Sequence, residues 1–577
     1  MNLTTQKLVA TGETSERGQN GRCHIRQSLL PYKAFNLFLF GSFGCVLPYM
    51  SIYFKQLGFN PFMVGLLNAV RPLVGFAILP FISVIADRFQ CRKLVSISGV
   101  VIGAVAVLLI SLTSPAPEAP CDVMEKQIHD FLHLNISLPY DDSQQPLDYL
   151  GTSGDIVLFK NVVLGNSNLD PPTTMLKRQI GPDNNISAKQ THQFPESVER
   201  ILLSNQSWLF DQDGLYRIFW VLLILSSFVD VTMLSSAGQC DTAALDTLRN
   251  EVGHADDFGW QHGYGSMGFG LGILFGALLL DSTRTVKISC GIKHTVASYW
   301  TCFASAVVII LGAFISLFYF KFPKYKEEAP SSSKWAEIRQ VIFSWHYGSV
   351  IFMIFIVGIA HGCIWGFLFW HLENLGATHS LLGMLGILFC VSEFGFTFFS
   401  SWAINKFGHI PLMSIGLLVF VFRFLYYGLI TVPWTMVFID IFHGVSFVVT
   451  WTTCSSYLGA AVPLECGGTM QGIIISMHQG LGAGTGYLIS GLIVDSYGAQ
   501  TTFLLYAAVC GIVLIWFVVI QVMFPKPAPP WRDDEDEQTQ EQEILEKPAS
   551  PSRKDYDQLT LKLPPFQVET TAINQQK

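Results

Sequence analysis

Apolar residues run in stretches of about twenty, long enough as helices to cross a hydrocarbon core. The charged residues gather in short islands between them. The stretches lie near Phe35–Phe54, Met63–Ile85, Leu94–Leu112, Leu215–Ser235, Gly265–Leu280 and Ser298–Phe320. A second set follows near Val350–Trp370, Leu381–Ile404, Pro411–Ile430, Thr435–Leu458, Gly472–Val494 and Phe503–Phe524. Six and six predict an all-α membrane protein of twelve helices in two halves. A polar-basic turn, Ser83-Val-Ile-Ala-Asp-Arg-Phe-Gln-Cys-Arg-Lys93, joins the second stretch to the third. Its degraded echo, Ser401-Trp-Ala-Ile-Asn-Lys-Phe-Gly-His409, holds the same place in the second half. One such turn per half marks an internal repeat. The expected division is an N-tail (1–32), a first half (33–322) with an insert (114–214), a linker (323–346), a second half (347–524) and an acidic, disordered tail (525–577).

Composition narrows the class. Half of the 577 residues are hydrophobic and 14% are charged, and the mean hydropathy is +0.40. That profile excludes a disordered chain and is unusual for a soluble one. The net charge of −8 says little about partners, because much of the acid sits in Asp533-Asp-Glu-Asp-Glu537. No basic face with interleaved aromatics points to nucleic acid. The polar first residues lack the apolar core of a signal peptide.

Loop charge predicts orientation. Arg17, Arg22, Arg26 and Lys33 precede the first stretch, Arg88, Arg92 and Lys93 follow the second, and Lys321, Lys324, Lys326, Lys334 and Arg339 follow the sixth. All fall on one side if the helices alternate, which places both termini in the cytosol. The insert then lies outside, with sequons at Asn135, Asn185 and Asn205 expected to carry glycans. Cys121 and Cys290 are the two cysteines expected to face that oxidising side, and a disulfide between them is predicted. Most of the other cysteines fall in apolar stretches as small core residues, and no Cys/His spacing suggests a metal. No nucleophile–base or nucleotide motif suggests an enzyme, and no cofactor is expected.

The stretch Tyr32–Lys93, with Pro48-Tyr-Met-Ser-Ile-Tyr-Phe54, Gly65-Leu-Leu and Ala86-Asp-Arg-Phe89, resembles the opening of major facilitator superfamily proteins of the lactose-permease-like group. Cys240-Asp-Thr-Ala-Ala-Leu, followed by Phe258-Gly-Trp-Gln-His-Gly-Tyr-Gly-Ser-Met-Gly-Phe269, is similar to a narrower signature, that of the major facilitator superfamily domain-containing protein 6 group. Gln471-Gly472 and Gly480-Leu-Gly-Ala-Gly-Thr-Gly486 resemble that group's eleventh span. The resemblance implies two six-helix halves that rock about a central site. It also implies close helix approach at the glycines of spans five and eleven.

The departures carry information. The family's first turn has Gly where Ser83 and Gln90 stand; in the second copy its Asp is Asn405 and its first Gly is Ser401. Asp87, with Arg88 and Arg92, is expected to latch the inner face, whereas Asn405 and Lys406 form a weakened counterpart. Where sugar-transporting relatives carry an Arg, this chain has His262, with Asp241 the nearest acidic candidate. A His lacks the Arg fork, so galactoside-type recognition is in doubt. His262 either titrates or hydrogen-bonds a neighbour.

Ionisable residues at membrane depth are expensive and mark function. They are Arg71, Asp230, Glu393, Arg423, Asp440 and His443. Asp440 and His443, three apart, are expected on one helix face. By the resemblance, Arg423 and His443 match residues that proton symporters use in coupling. Ser446 stands where those symporters carry the proton-bearing Glu, which leaves Glu393 or Asp440 as substitute carriers. Arg423 and Asp440 are either a structural pair or part of transport. Arg71 and Glu393 are expected to pair across the central cavity.

Tyr556-Asp-Gln-Leu559 matches a sorting pattern that would cycle the protein between plasma membrane and endosomes. The expected activity is secondary transport of a small polar solute across a lipid bilayer, with proton coupling a candidate. A second reading, a cell-surface receptor for an extracellular protein on a transporter scaffold, is kept open by the long insert.

Overall fold

The computed structural model describes residues 29–120, 210–252, 258–289, 292–320, 338–463 and 466–524. The first half holds α1 (Leu30–Gln56), α2 (Pro61–Arg88), α3 (Arg92–Ser111), α4 (Gln212–Val252), α5 (Phe258–Ser282) and α6 (Tyr299–Phe318). The second holds α7 (Trp345–Asn374), α8 (His379–Phe407) and α9 (His409–Leu429). Next comes α10, a broken span of Pro433–Asp440 and Val445–Gly459 bent by 41°. The last helical run, Gly467–Met523, has 57 residues. At 1.5 Å per residue a straight helix of that length would be about twice as long as a bilayer is thick. It turns back at Gly498, whose φ of 80° and ψ of 165° a side chain would not tolerate. The run is therefore two spans, α11 (467–497) and α12 (499–523), and the described helices number twelve.

Two helices contain a π-turn, Val445–Val449 in α10 and Ser476–Gly482 in α11. A π-turn holds one residue more than an α-turn and is enriched at functional sites.

The expectation of an all-helical chain needs one correction. Thr285–Ser289 (β1) and Ile292–Val296 (β2) pair antiparallel between α5 and α6. Both strands alternate and are rich in β-branched residues, which suits a pleated, half-exposed ribbon. We call the side of the molecule that carries it the hairpin face, and the opposite side, with the Arg88–Arg92 connection, the turn face. The described ends of the insert also lie at the hairpin face, where the Asp211 amide donates to the Pro117 carbonyl at 2.9 Å.

Each half is built the same way. In the first, α1 packs on α5 and α6, and α3 on α4 and α6. In the second, α7 packs on the α11–α12 run and α9 on the same run. Across the seam, α5 meets α8 and α2 meets the α11–α12 run, equivalent contacts under the pseudo-twofold that exchanges the halves. Two ion pairs bridge the halves at the hairpin face. Lys55 Nζ lies 2.7 Å from Glu373 Oε2 and donates to Asn374 Oδ1 at 2.6 Å. Asp281 accepts from the His379 ring at 3.0 Å and from the Ser380 amide at 2.8 Å, and bonds the Ser380 hydroxyl as well. Below them α2 and α11 touch backbone to backbone: a Cβ built on Gly491 would lie 2.8 Å from Gly65 Cα.

The repeated turn has a positive φ at the same position in both copies. Gln90 has φ of 50° and Gly408, at the matching position, has φ of 80°. The first copy holds a bulky residue in a left-handed conformation that costs roughly 1 kcal/mol.

Candidate functional site

Apart from Lys55 at the hairpin face, charge pairs among the described residues are buried in two places, one per half. In the first half, Arg71 of α2 meets Asp230 of α4, and each is at most 8% exposed. Arg71 Nε donates to Asp230 Oδ2 at 3.1 Å and Nη2 to Oδ1 at 2.9 Å, a bidentate fork. The remaining nitrogen, Nη1, donates to Asn68 Oδ1 at 3.0 Å, and Asn68 Nδ2 donates to Ser51 Oγ of α1 at 2.9 Å. Every nitrogen of the guanidinium and both carboxylate oxygens are engaged. Pro72 follows Arg71 and leaves the carbonyl four residues back without its helical donor. Tyr487 of α11, from the other half, interacts electrostatically with both members of the pair.

The second half has a larger and looser centre. Arg423 of α9 is fully buried. Its Nη1 donates to Ser446 Oγ at 2.6 Å, its Nε to Tyr427 Oη at 2.9 Å, and its Nη2 to Asp440 Oδ1 at 3.3 Å. Tyr427 donates to the same Asp440 Oδ1 at 2.6 Å, so Oδ1 takes two donors while the buried Oδ2 has none among the described residues. His443 Nε2 lies 3.1 Å from Glu393 Oε1 of α8. His361 Nδ1 of α7 lies 2.7 Å from His478 Nε2 of α11. The rings of His361 and His443 are 6.4 Å apart, and Phe447 packs edge-on to His361 at 4.7 Å. Trp451 and Phe389 close the group against His478 and His443.

Several expectations change here. Arg71 and Glu393 do not pair across the cavity: Arg71 is saturated by Asp230 and Asn68, and Glu393 turns to His443 within its own half. Asp440 and His443 do not act as one face, because α10 breaks between them and each goes to a different partner. Arg423 and Asp440 do pair. His361 and His478 were missed, although the rule that flagged Arg71 applies equally to a histidine inside an apolar stretch.

Other candidates are scattered. Asp241 lies on α4 and His262 on α5; the side chain of His262 lies outside the described residues, as does that of Asp87. Arg88, Asn405 and Lys406 are exposed at the turn face, and Lys406 lies 4.8 Å over the Trp402 ring. Arg92 begins α3. Asn135, Asn185, Asn205, Cys121, Cys290, Tyr556 and Leu559 lie outside the described residues. An apolar cavity of about 570 Å³ opens between α5 and α8, walled by Tyr264, Met267, Ile387 and Phe394 among others, with no charged side chain among the described residues of its lining.

The glycines singled out in spans five and eleven do bring helices together. A Cβ on Gly484 would meet the Leu73 side chain at 2.7 Å, and one on Gly480 would meet Phe76 Cβ at 2.9 Å.

The chain is similar to known proteins. The chain is 21% identical over 559 residues to major facilitator superfamily domain-containing protein 6-like protein B of Xenopus laevis, covering 84% of this chain and 88% of that protein. It is 22% identical over 303 residues to the maltose permease of Geobacillus stearothermophilus, covering 52% of this chain and 70% of the permease. Among solved structures, the nucleoside transporter NupG superposes with a TM-score of 0.54 at 15% identity, covering 86% of this chain and 99% of that one. At such identity the structural match speaks for the fold alone. The sequence pattern of the family described as the MFS_1 like family matches residues 29–505, and with twelve helices in two matching halves the chain belongs to that family.

Proposed function

We propose that the protein is a secondary transporter of a small polar solute, driven by protons and working by alternating access between its halves. The observation that carries this is the Arg71–Asp230 pair, a bidentate charge pair buried in the first half with Tyr487 of the second half beside it. Buried ions do not repay their desolvation in stability, and at the seam between two rocking halves they serve recognition. That one relative is named a maltose permease and a structural neighbour a nucleoside transporter supports a polar solute.

The hairpin-face pairs Lys55–Glu373 and Asp281–His379 act as the gate of one facing state. With both termini in the cytosol and the insert outside, that state faces inward. Asp87, Arg88 and Arg92 form the gate of the opposite state, and Asn405 and Lys406 contribute less. Asn135, Asn185 and Asn205 then carry glycans, Cys121 and Cys290 form a disulfide, and Tyr556 to Leu559 sort the protein between plasma membrane and endosomes. Endoglycosidase treatment and non-reducing peptide mapping test the first two; two free thiols sink the disulfide. The receptor reading rests on the insert, most of which lies outside the described residues, and no described feature favours it.

The deciding experiment is uptake by the purified protein in liposomes, with labelled sugars, nucleosides and small organic acids, with and without an acid gradient. Accumulation that needs the gradient and is lost in Asp230→Asn molecules that still elute as folded protein, or in the charge-keeping Asp230→Glu, supports the proposal. Uptake unaffected by Asp230→Asn overturns the role of the pair.

A further inference from the structure

His361 and His478 share one hydrogen bond inside the second half, and that bond constrains their protons. One ring must donate and the other accept, so a single proton lies between Nδ1 of His361 and Nε2 of His478. Their outer nitrogens, His361 Nε2 and His478 Nδ1, have no partner among the described residues, and neither has His443 Nδ1 or Asp440 Oδ2. Each of these residues is nine-tenths buried or more. Four orphaned polar atoms in one small volume are unusual, since buried polar groups are almost always satisfied. Two π-turns border the same volume, and His478 lies within one of them.

We propose that His361 and His478 form a proton relay, with Glu393 and His443 as its inlet. Glu393 is the partly exposed member, with 18% of its side chain accessible, and it hydrogen-bonds His443. The His443 ring faces His361 at 6.4 Å. A proton that reaches Nε2 of His361 makes that ring a cation with both nitrogens protonated. The shared proton then moves from Nδ1 of His361 to Nε2 of His478, and the proton on Nδ1 of His478 passes to a water molecule admitted at the seam between the halves. One proton enters, one departs, and the pair ends neutral with its two tautomers exchanged.

The groups around the pair fit this role. Arg423 of α9, His443 of α10 and His478 of α11 are the charged or titratable groups that act on His361. Glu393 of α8 and Asp440 of α10 act by charge on His443, the neighbour of His361. From α2, which packs on the π-turn, the side chain at this level is Phe76, whose Cβ a side chain on Gly480 would meet at 2.9 Å. His478 is two residues from that contact, so a change of its charge falls beside the seam between the halves.

The use of the relay in driving transport rests on the proposed transporter function, but the relay itself can be tested on the protein alone. The Trp451 ring lies 5.1 Å from His478, and a protonated imidazole next to an indole quenches its emission. The experiment compares the full chain in lipid nanodiscs with its Trp451→Phe variant between about pH 5 and 8, where imidazoles titrate. The difference between the two spectra is the emission of Trp451. The expected result is about a twofold fall of that emission on acidification, lost in His478→Gln, displaced along the pH axis in His361→Gln and unchanged in His379→Gln. A difference spectrum that is flat with pH overturns the relay, and so does one that titrates identically in His478→Gln. If a histidine variant fails to fold, the wild type and Trp451→Phe alone still decide, because neither alters the pair. A titrating Trp451 in a protein that moves no solute would count against the transporter and leave the relay standing; uptake with a flat Trp451 would do the reverse.

Discussion

The two buried centres differ in how completely they are satisfied. Arg71 and Asp230 engage every guanidinium nitrogen and both carboxylate oxygens, with Asn68 accepting from Nη1 and itself held by Ser51. Arg423 and Asp440 leave one carboxylate oxygen bare among the described residues and stand beside histidines whose outer ring nitrogens are equally bare. A saturated pair is a clamp with one low-energy arrangement. An unsaturated one has places for protons to come and go. The halves are alike in fold and unlike in chemistry: one pair joins α2 to α4 and the other α9 to α10, which are not equivalent helices, so the pseudo-symmetry fixes neither where charge is buried nor what it does.

The largest effect that sharpens this contrast is expected at Asp230. Asp230→Asn sets an amide donor against the donors of Arg71 and leaves a buried cation unpaired, at a cost of about 3–5 kcal/mol. Thermal unfolding followed by size-exclusion fluorescence should show a protein that barely survives extraction. Asp440→Asn also strips the carboxylate from a buried cation, Arg423, but should cost less, because the amide can keep its oxygen toward Arg423 and Tyr427 and place its nitrogen where Oδ2 has no donor among the described residues. Equal costs at the two sites would erase the distinction between clamp and proton site.

Next in size comes the repeated turn. Gly408→Ala forces a side chain into a glycine backbone conformation and should destabilise by about 1–2 kcal/mol. Gln90→Gly should act in the opposite sense and stabilise by roughly 0.5–1 kcal/mol, because the first copy already holds a left-handed non-glycine residue. The same melting assay reads both, and the same sign at both positions would show that the two turns are not equivalent. The smallest effects concern balance between states. Asp87→Asn should slow transport severalfold while Asn405→Ala changes it little, a difference that uptake in liposomes checks. Glu373→Gln weakens a part-buried pair worth about 1 kcal/mol, enough to raise the fraction open at the hairpin face roughly fivefold. Spin-label distances between Lys287 and Val432 would record that shift; an unchanged distribution would remove Lys55 and Glu373 from the gate.

Much of the fold could be read along the chain because membrane spans declare themselves locally, through twenty apolar residues at a time. The repeated turn also showed that the chain is two halves. Pairings could not be read in this way. Arg71 and Asp230 are 159 residues apart, and which helix face meets which depends on rotation and tilt that apolar stretches facing lipid do not encode. The expected pair of Arg71 with Glu393 failed for that reason: each was judged by the absence of a neighbour in sequence. The strands at 285–289 and 292–296 were hidden by their shortness beside the spans around them. His361 and His478 were visible as letters, but a single histidine in an apolar stretch reads as a core residue until its partner from another helix is seen.

The two π-turns bear on how this chain can be compared with any other. Each adds one residue to a helix, and one residue is about 100° of rotation. A residue-by-residue correspondence drawn through Val445–Val449 or Ser476–Gly482 to a protein whose helix lacks the extra residue is therefore displaced by one position beyond it. Ser446, matched by counting three residues on from His443, lies inside the first of these turns. The counterpart of a relative's acidic residue there is to be sought by superposing helix faces, one letter to either side of where an alignment puts it.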